Sequence, residues 1–192
     1  MKHTFLLLTT LFAFACSSST EPETGLSSSG EGIPAGAYQE VFEDTPGLVR
    51  VTVKAGQIET GMGDYLNNKK HGTWTDYYPS GAIRSLSTYI NGQLEGQMLT
   101  LTDRGELETV YTFHHNLMHG PARVYKRGQV VEDKTYVNGL LEGTLRKYYD
   151  NGTMMEESPY KNGKIHGISR WYDQEGNVTI EYEYDNGTLI KK

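Results

Sequence analysis

From residue 67 onward, runs of alternating apolar and polar residues are separated by short polar turns, and the pattern is copied along the chain. Residues 72–95 show one unit: Gly-Thr-Trp-Thr-Asp-Tyr-Tyr, a Pro-Ser-Gly turn, Ala-Ile-Arg-Ser-Leu-Ser-Thr-Tyr-Ile, then an Asn-Gly turn and Gln-Leu-Glu. The apolar residues fall in columns when successive units are aligned. Five residues past the first glycine stand Tyr77, Leu101, Tyr125, Tyr148 and Tyr172. Two past the second glycine stand Ile83, Leu107, Val130, Met154 and Val178, and eight past it stand Tyr89, Phe113, Tyr136, Tyr160 and Tyr184. Leu94, Met118, Leu141, Ile165 and Leu189 make a fourth column. Offsets of two and eight share parity, which predicts that both columns lie on one face of a strand. Arg84, Glu108, Glu132 and Glu156 then face water. One face packed and one wet is the state of an antiparallel meander. No stretch carries a helical period.

The punctuation of the pattern fixes its period. Gly72, Gly96, Gly120, Gly143 and Gly167 follow at spacings of 24, 24, 23 and 24, and Gly81, Gly105, Gly128, Gly152 and Gly176 at 24, 23, 24 and 24. The missing residue falls between Gly120 and Gly128. A constant period of this size means one supersecondary unit stacked on copies of itself. Asn-Gly recurs at 91–92, 138–139, 162–163 and 186–187, with His115-Asn116 in its place in the third unit. Asn-Gly is a strong hairpin signal, because a type I′ turn needs positive φ at both central residues. The expected fold is therefore all-β: tandem β-hairpin repeats in an elongated, twisted antiparallel sheet, advancing about 10 Å per two-stranded unit. Residues 67–192 hold five repeats and part of a sixth. Residues 37–66 read as a worn first copy that caps the array, with Val49, Val51 and Val53 alternating and Tyr65 falling one residue late for the tyrosine column.

The stretch Asn-Gly-Lys-Ile-His-Gly-Ile-Ser-Arg-Trp-Tyr-Asp-Gln-Glu-Gly-Asn-Val at 162–178 resembles the MORN-repeat variant of many bacterial proteins, a variant often labelled a YwqK-type antitoxin. The resemblance covers roughly residues 56–190. It implies β-hairpin repeats in an extended sheet, with roles in protein–protein scaffolding or in association with membranes and lipids. Antitoxin or immunity function is a third implication, and an export signal sits badly with it.

That signal occupies residues 1–15: Met-Lys-His, then an apolar run from Phe5 to Ala15 that is too short to span a bilayer. Ala13-Phe14-Ala15-Cys16 is similar to the lipobox of bacterial lipoproteins, although Ala13 stands where Leu is preferred and Phe14 where a small residue is. The resemblance implies lipidation of Cys16 and anchoring in the cell envelope, and Ser17 suits the outer membrane of a Gram-negative bacterium. The alternative is ordinary cleavage after Ala15. Cys16 is the only cysteine, so no disulfide can form within the chain. Residues 16–36 are rich in Ser, Gly and Glu and read as a disordered tether.

Charge narrows the partners. Residues 67–192 carry 16 acidic and 15 basic residues, and the eight acids of 17–66 face only Arg50 and Lys54. No basic stripe exists to neutralise phosphates, which argues against nucleic acid. No P-loop, dinucleotide fingerprint, HExxH or nucleophile elbow appears, so neither catalysis nor a cofactor is expected. His71, Glu95, His119, Glu142 and His166 precede the first-series glycines, too far apart from repeat to repeat for one metal ion. His114, His115 and His119 flank one turn, but no Cys and no fixed carboxylate accompanies them in sequence, so no metal is expected. Trp74, Tyr78, Tyr149 and Trp171 have even offsets from their glycines, which predicts the polar face, where aromatics would contact a protein, a glycan or a lipid headgroup.

Overall fold

The structure is a computed structural model that describes residues 32–192; the expected signal peptide, Cys16 and most of the expected tether lie outside the described residues. There are 17 strands in one sheet and no helix among the described residues. Each main strand pairs antiparallel with the next in chain order, so the sheet is an open meander from Tyr38–Val41 to Thr188–Lys191. The worn copy supplies Tyr38–Val41, Leu48–Ala55 and Ile58–Leu66. Residues 32–36, expected in the tether, are among the described residues. Gly32 and Ile33 donate their N–H groups to Asn68, and Ile33 and Ala37 pack on the first core cluster.

The repeat unit is a pair of strands such as Lys69–Tyr77 and Ile83–Ile90. Both kinds of turn take the backbone that their residues favour. Asn91 and Gly92 sit at φ 51° and 83°, as a type I′ turn requires. At the other end, Gly81 donates to the carbonyl of Tyr78 and the Tyr78 N–H to that of Ala82, a wider turn with a left-handed glycine. The third unit closes this end with two residues, Arg127 at φ 53° and Gly128 at 77°, while Lys126 pairs directly with Gln129. This tighter turn absorbs the residue missing from the repeat.

Two irregularities recur in every unit. The first is at the first-series glycine. Leu86 pairs with Leu99 and Tyr89 with Leu94, so Ser87 and Thr88 lie opposite the four residues Glu95–Met98. Gly96, at φ 72°, makes that bulge accessible to the backbone. The second is one extra residue just after the wider turn. Asp76 pairs with Ser85 and Tyr77 with Ile83, leaving Arg84 unmatched. Glu108, Val131, Met155 and Thr179 are its counterparts.

The second bulge overturns the parity expectation. An extra residue between offsets two and eight sends the Ile83 and Tyr89 columns to opposite faces. Ile83 and Val178 are 40% and 52% exposed, whereas Phe113 and Tyr136 are buried. The inner face holds the Tyr89 column together with Trp74, Met98, Ala122, Leu145 and Ser169, all five buried. Glu132 and Glu156, expected to face water, also point inward, where they pair with Lys134 at 2.9 Å and Lys147 at 3.0 Å. Tyr65 pairs with Lys70 as Tyr89 pairs with Leu94, so it belongs to the Tyr89 column, not the Tyr77 column.

The core is thin and lies towards the N-terminal end. Val51, Tyr65 and Trp74 form one buried cluster, and Leu94, Met98 and Phe113 the next, with Tyr89 packed against both. Room for the Trp74 ring comes from Gly61 and Gly63, where an added Cβ would press on the indole. Gly63→Ala is therefore expected to lower unfolding free energy by about 1–3 kcal/mol through overpacking. In urea titrations Trp74→Leu in the same chain should recover part of that loss, because the two sites share one contact; additive losses would show that the ring is not what the methyl meets.

Candidate binding surface

The four aromatic residues expected on the polar face do not lie there together. Trp74 is 5% exposed. Its Nε1–H donates to Asp76 Oδ1 at 3.0 Å, its ring meets Tyr65 edge-on at 5.9 Å, and Lys70 Nζ sits 4.1 Å from its centre. Burial pushes the Lys70 ammonium below its ordinary pKa, partly offset by Asp76, and pushes the Tyr65 and Tyr89 hydroxyls up. Tyr78 and Tyr149 are half-buried staples between repeats. Their hydroxyls donate to the carbonyls of Leu101 at 2.8 Å and Tyr172 at 2.7 Å. Lys126 takes the same place in the third unit and reaches Asp150 at 2.8 Å, while Thr102 and Asp173 cap their own turns instead. Trp171 is half-buried on the inner face, edge-on to Tyr182 at 5.8 Å. It stands opposite Ile180, which is exposed.

The column before the first-series glycines acts on turns. Glu142 accepts the Asn162 N–H at 2.7 Å and Glu95 the His115 N–H at 2.9 Å. His119 and His166 accept the N–H groups of Asn138 and Asn186 through Nδ1, each at 3.4 Å. Either side chain thus caps the first residue of the next hairpin turn, which accounts for their interchange. The contact with His115, assisted by His114, holds the Glu95 carboxyl below the ordinary carboxylate range.

On the outer face the register builds a feature that the column reading missed. One row runs directly from strand to strand through Thr75, Leu86, Leu99, Val110, Arg123, Asp133, Arg146, Glu157, Arg170 and Glu181. After Thr75 it is apolar through Val110, and its last six members alternate in charge. Arg123 Nε lies 3.0 Å from Asp133 and Arg170 Nε 2.8 Å from Glu181, and the neighbouring acid raises the Arg123 pKa. Directly opposed unlike charges stabilise a sheet by some tenths of a kcal/mol per pair and fix register. The signal was present at offsets three and five, where the basic and acidic residues recur.

A second exposed feature lies at the Asn-Gly ends of the hairpins. Leu117, Val137 and Leu140 are 49%, 41% and 49% exposed. Leu117 reaches over Gly139 and Leu140 over Gly163, so the side chains pass from one turn to the next as an apolar rim. Lys161 and Lys164 continue the rim on one side, and His114 and His115 on the other.

Tyr149→Phe is expected to destabilise the chain by about 0.5–1.5 kcal/mol, the net worth of one hydrogen bond. Chemical denaturation checks this; no change would mean that the bond to Tyr172 adds nothing between repeats.

No curated protein matches the chain. The MORN repeat variant family matches at residues 70–91, 141–162 and 165–186. Each match spans one wider turn and the two long strands that it joins, and the same unit continues through the residues between the matches. The three matches, in phase with a meander of consecutive hairpins, support a MORN-repeat protein.

Proposed function

We propose that this chain is a non-catalytic protein-binding scaffold, held at the envelope of a Gram-negative bacterium by lipid on Cys16. The observation that carries the reading is the apolar rim of Leu117, Val137 and Leu140, three large side chains left open to water at adjacent hairpin ends. Contiguous exposed apolar surface marks an interaction site more often than scattered single residues do. The sheet beneath supports the rim in a repeated geometry, and the outer-face row adds a charge pattern that a partner of complementary sign order would read. Candidate acids and bases are spread along this row and used in pairing, which suits recognition rather than turnover.

A second reading is binding to an anionic lipid surface. The lysines Lys161 and Lys164 beside the rim favour it, since apolar contact plus basic charge is how proteins lie on such membranes. Nothing in the described residues bears on an antitoxin role.

The test is retention of envelope proteins on the immobilised chain. A single stoichiometric protein should be recovered and should be lost with Leu117→Ser/Leu140→Ser. Recovery of unrelated proteins only, or equal recovery by the variant, would remove the rim as the binding site. Sedimentation with anionic vesicles that depends on Lys161 and Lys164 would instead favour lipid. For the anchor, palmitate incorporation should vanish in Cys16→Ser; persistence of label would refute lipidation at that residue.

A further inference from the structure

One hairpin end differs from the others. At the first residue of these turns the chain places Asn67, Asn91, Asn138, Asn162 and Asn186, all at φ between 48° and 51°. In the third unit His115 takes that place at φ 50°. Left-handed backbone is uncommon outside glycine, and such positions concentrate where a side chain has work to do. The residue before it is His114, where the other units have Ile90, Val137, Lys161 and Asp185.

The carboxylate absent from this stretch of sequence comes from the neighbouring hairpin. His114 Nδ1 lies 3.1 Å from Glu95 Oε2, and His115 Nε2 lies 3.6 Å from Glu95 Oε1. The three candidate donor atoms all fall within 4.8 Å of one another. Two donors on one tetrahedral Zn²⁺, each with a bond of about 2.0–2.1 Å, stand about 3.3 Å apart. The observed separations lie on either side of that value. The rings of His114 and His115 are already together at 4.0 Å.

Surrounding bonds hold the set in place. The His115 N–H fixes Glu95 Oε1 at 2.9 Å, as an outer-shell donor orients a ligating carboxylate. Asn116 clamps the short strand Gln93–Leu94 just before Glu95. Its Oδ1 accepts the Leu94 N–H at 2.7 Å, and its own N–H donates to the Leu94 carbonyl at 3.1 Å. Glycine, which fills this turn position in the following units, lacks the first of these contacts. Glu142 repeats the carboxylate two units on, but its hairpin offers Lys161 and Asn162 where the imidazoles would be. His119 Nδ1 already accepts the Asn138 N–H, and this residue stands outside the set.

We propose that Glu95, His114 and His115 form a binding site for a divalent transition metal of the zinc, nickel and copper class. Two imidazoles and one carboxylate are a donor set that suits those ions. Both histidines are more than half exposed, so solvent or a partner's side chain can complete the coordination. The site adjoins Leu117, and a metal there would place an open coordination position beside the apolar rim.

The test uses the full chain carrying Cys16→Ser and His3→Ala, which removes two other metal-binding side chains. Calorimetric titration with Zn²⁺ should give one site per chain, and Co²⁺ should give the intense visible absorption of a tetrahedral complex. His115→Asn restores the residue found at the other turns, so it should keep the fold and its thermal midpoint in the absence of metal. It should nevertheless weaken zinc binding at least tenfold, as should Glu95→Gln, while His166→Ala should leave binding unchanged. Zinc should raise the thermal midpoint of the parent and not of His115→Asn. Absence of saturable binding in the parent, or equal affinity in His115→Asn, would overturn the assignment.

Discussion

The fold depends on an aromatic ring set across from a left-handed glycine. Tyr89 faces Gly72, Phe113 faces Gly96, Tyr136 faces Gly120, Tyr160 faces Gly143 and Tyr184 faces Gly167. The glycine supplies a backbone bend that a side chain would resist, and the ring covers the peptide that the missing side chain leaves bare. The ring's other cross-strand neighbour comes from the fourth apolar column, Leu94 for Tyr89 and Met118 for Phe113. Each ring therefore ties its own hairpin to the next. A single-layer sheet with so little enclosed core needs such a contact in every unit, because each unit gains stability only through its neighbours.

The inner face changes character along the array. Its first units enclose Val51, Tyr65, Trp74, Met98 and Phe113 along with Ser85 and Ser87, whereas the later ones bury fewer large apolar side chains, Tyr136 and Leu145, beside Lys134, Ser158 and Ser169. The Lys134–Glu132 and Lys147–Glu156 pairs and the Ser158–Glu156 bond satisfy much of that polarity. Buried ion pairs offset their own desolvation more than they add net stability. The large apolar clusters thus lie in the first units, and beyond them the inner face carries paired charges and hydrogen-bonded polar groups.

The sequence made the architecture legible because glycine and asparagine mark backbone conformations directly, and their spacing survives variation in the strands. Strand identity and the hairpin order followed from that. Face assignment failed for one local reason: the extra residue represented by Arg84 reverses alternation within a strand, and nothing in its chemistry announces a bulge. Trp74 was therefore placed on the wrong side, while Tyr78 and Tyr149 proved to be staples whose hydroxyls reach a carbonyl in the next repeat. The Glu95–His114–His115 cluster was half legible. The imidazoles stood together in the chain, but their carboxylate is brought in by strand pairing with residues about one repeat earlier. The charged row was legible only once both offsets were read as partners across the sheet.

The outer row has a bearing on how such an array can lengthen. In its later units every hairpin contributes one guanidinium and one carboxylate to the row, as Arg146 with Glu157 and Arg170 with Glu181 do. Tandem duplication of a hairpin there inserts a neutral couple whose ends meet opposite signs on both sides. The array can thus lengthen through unequal recombination while the alternation of sign along this row stays as it was.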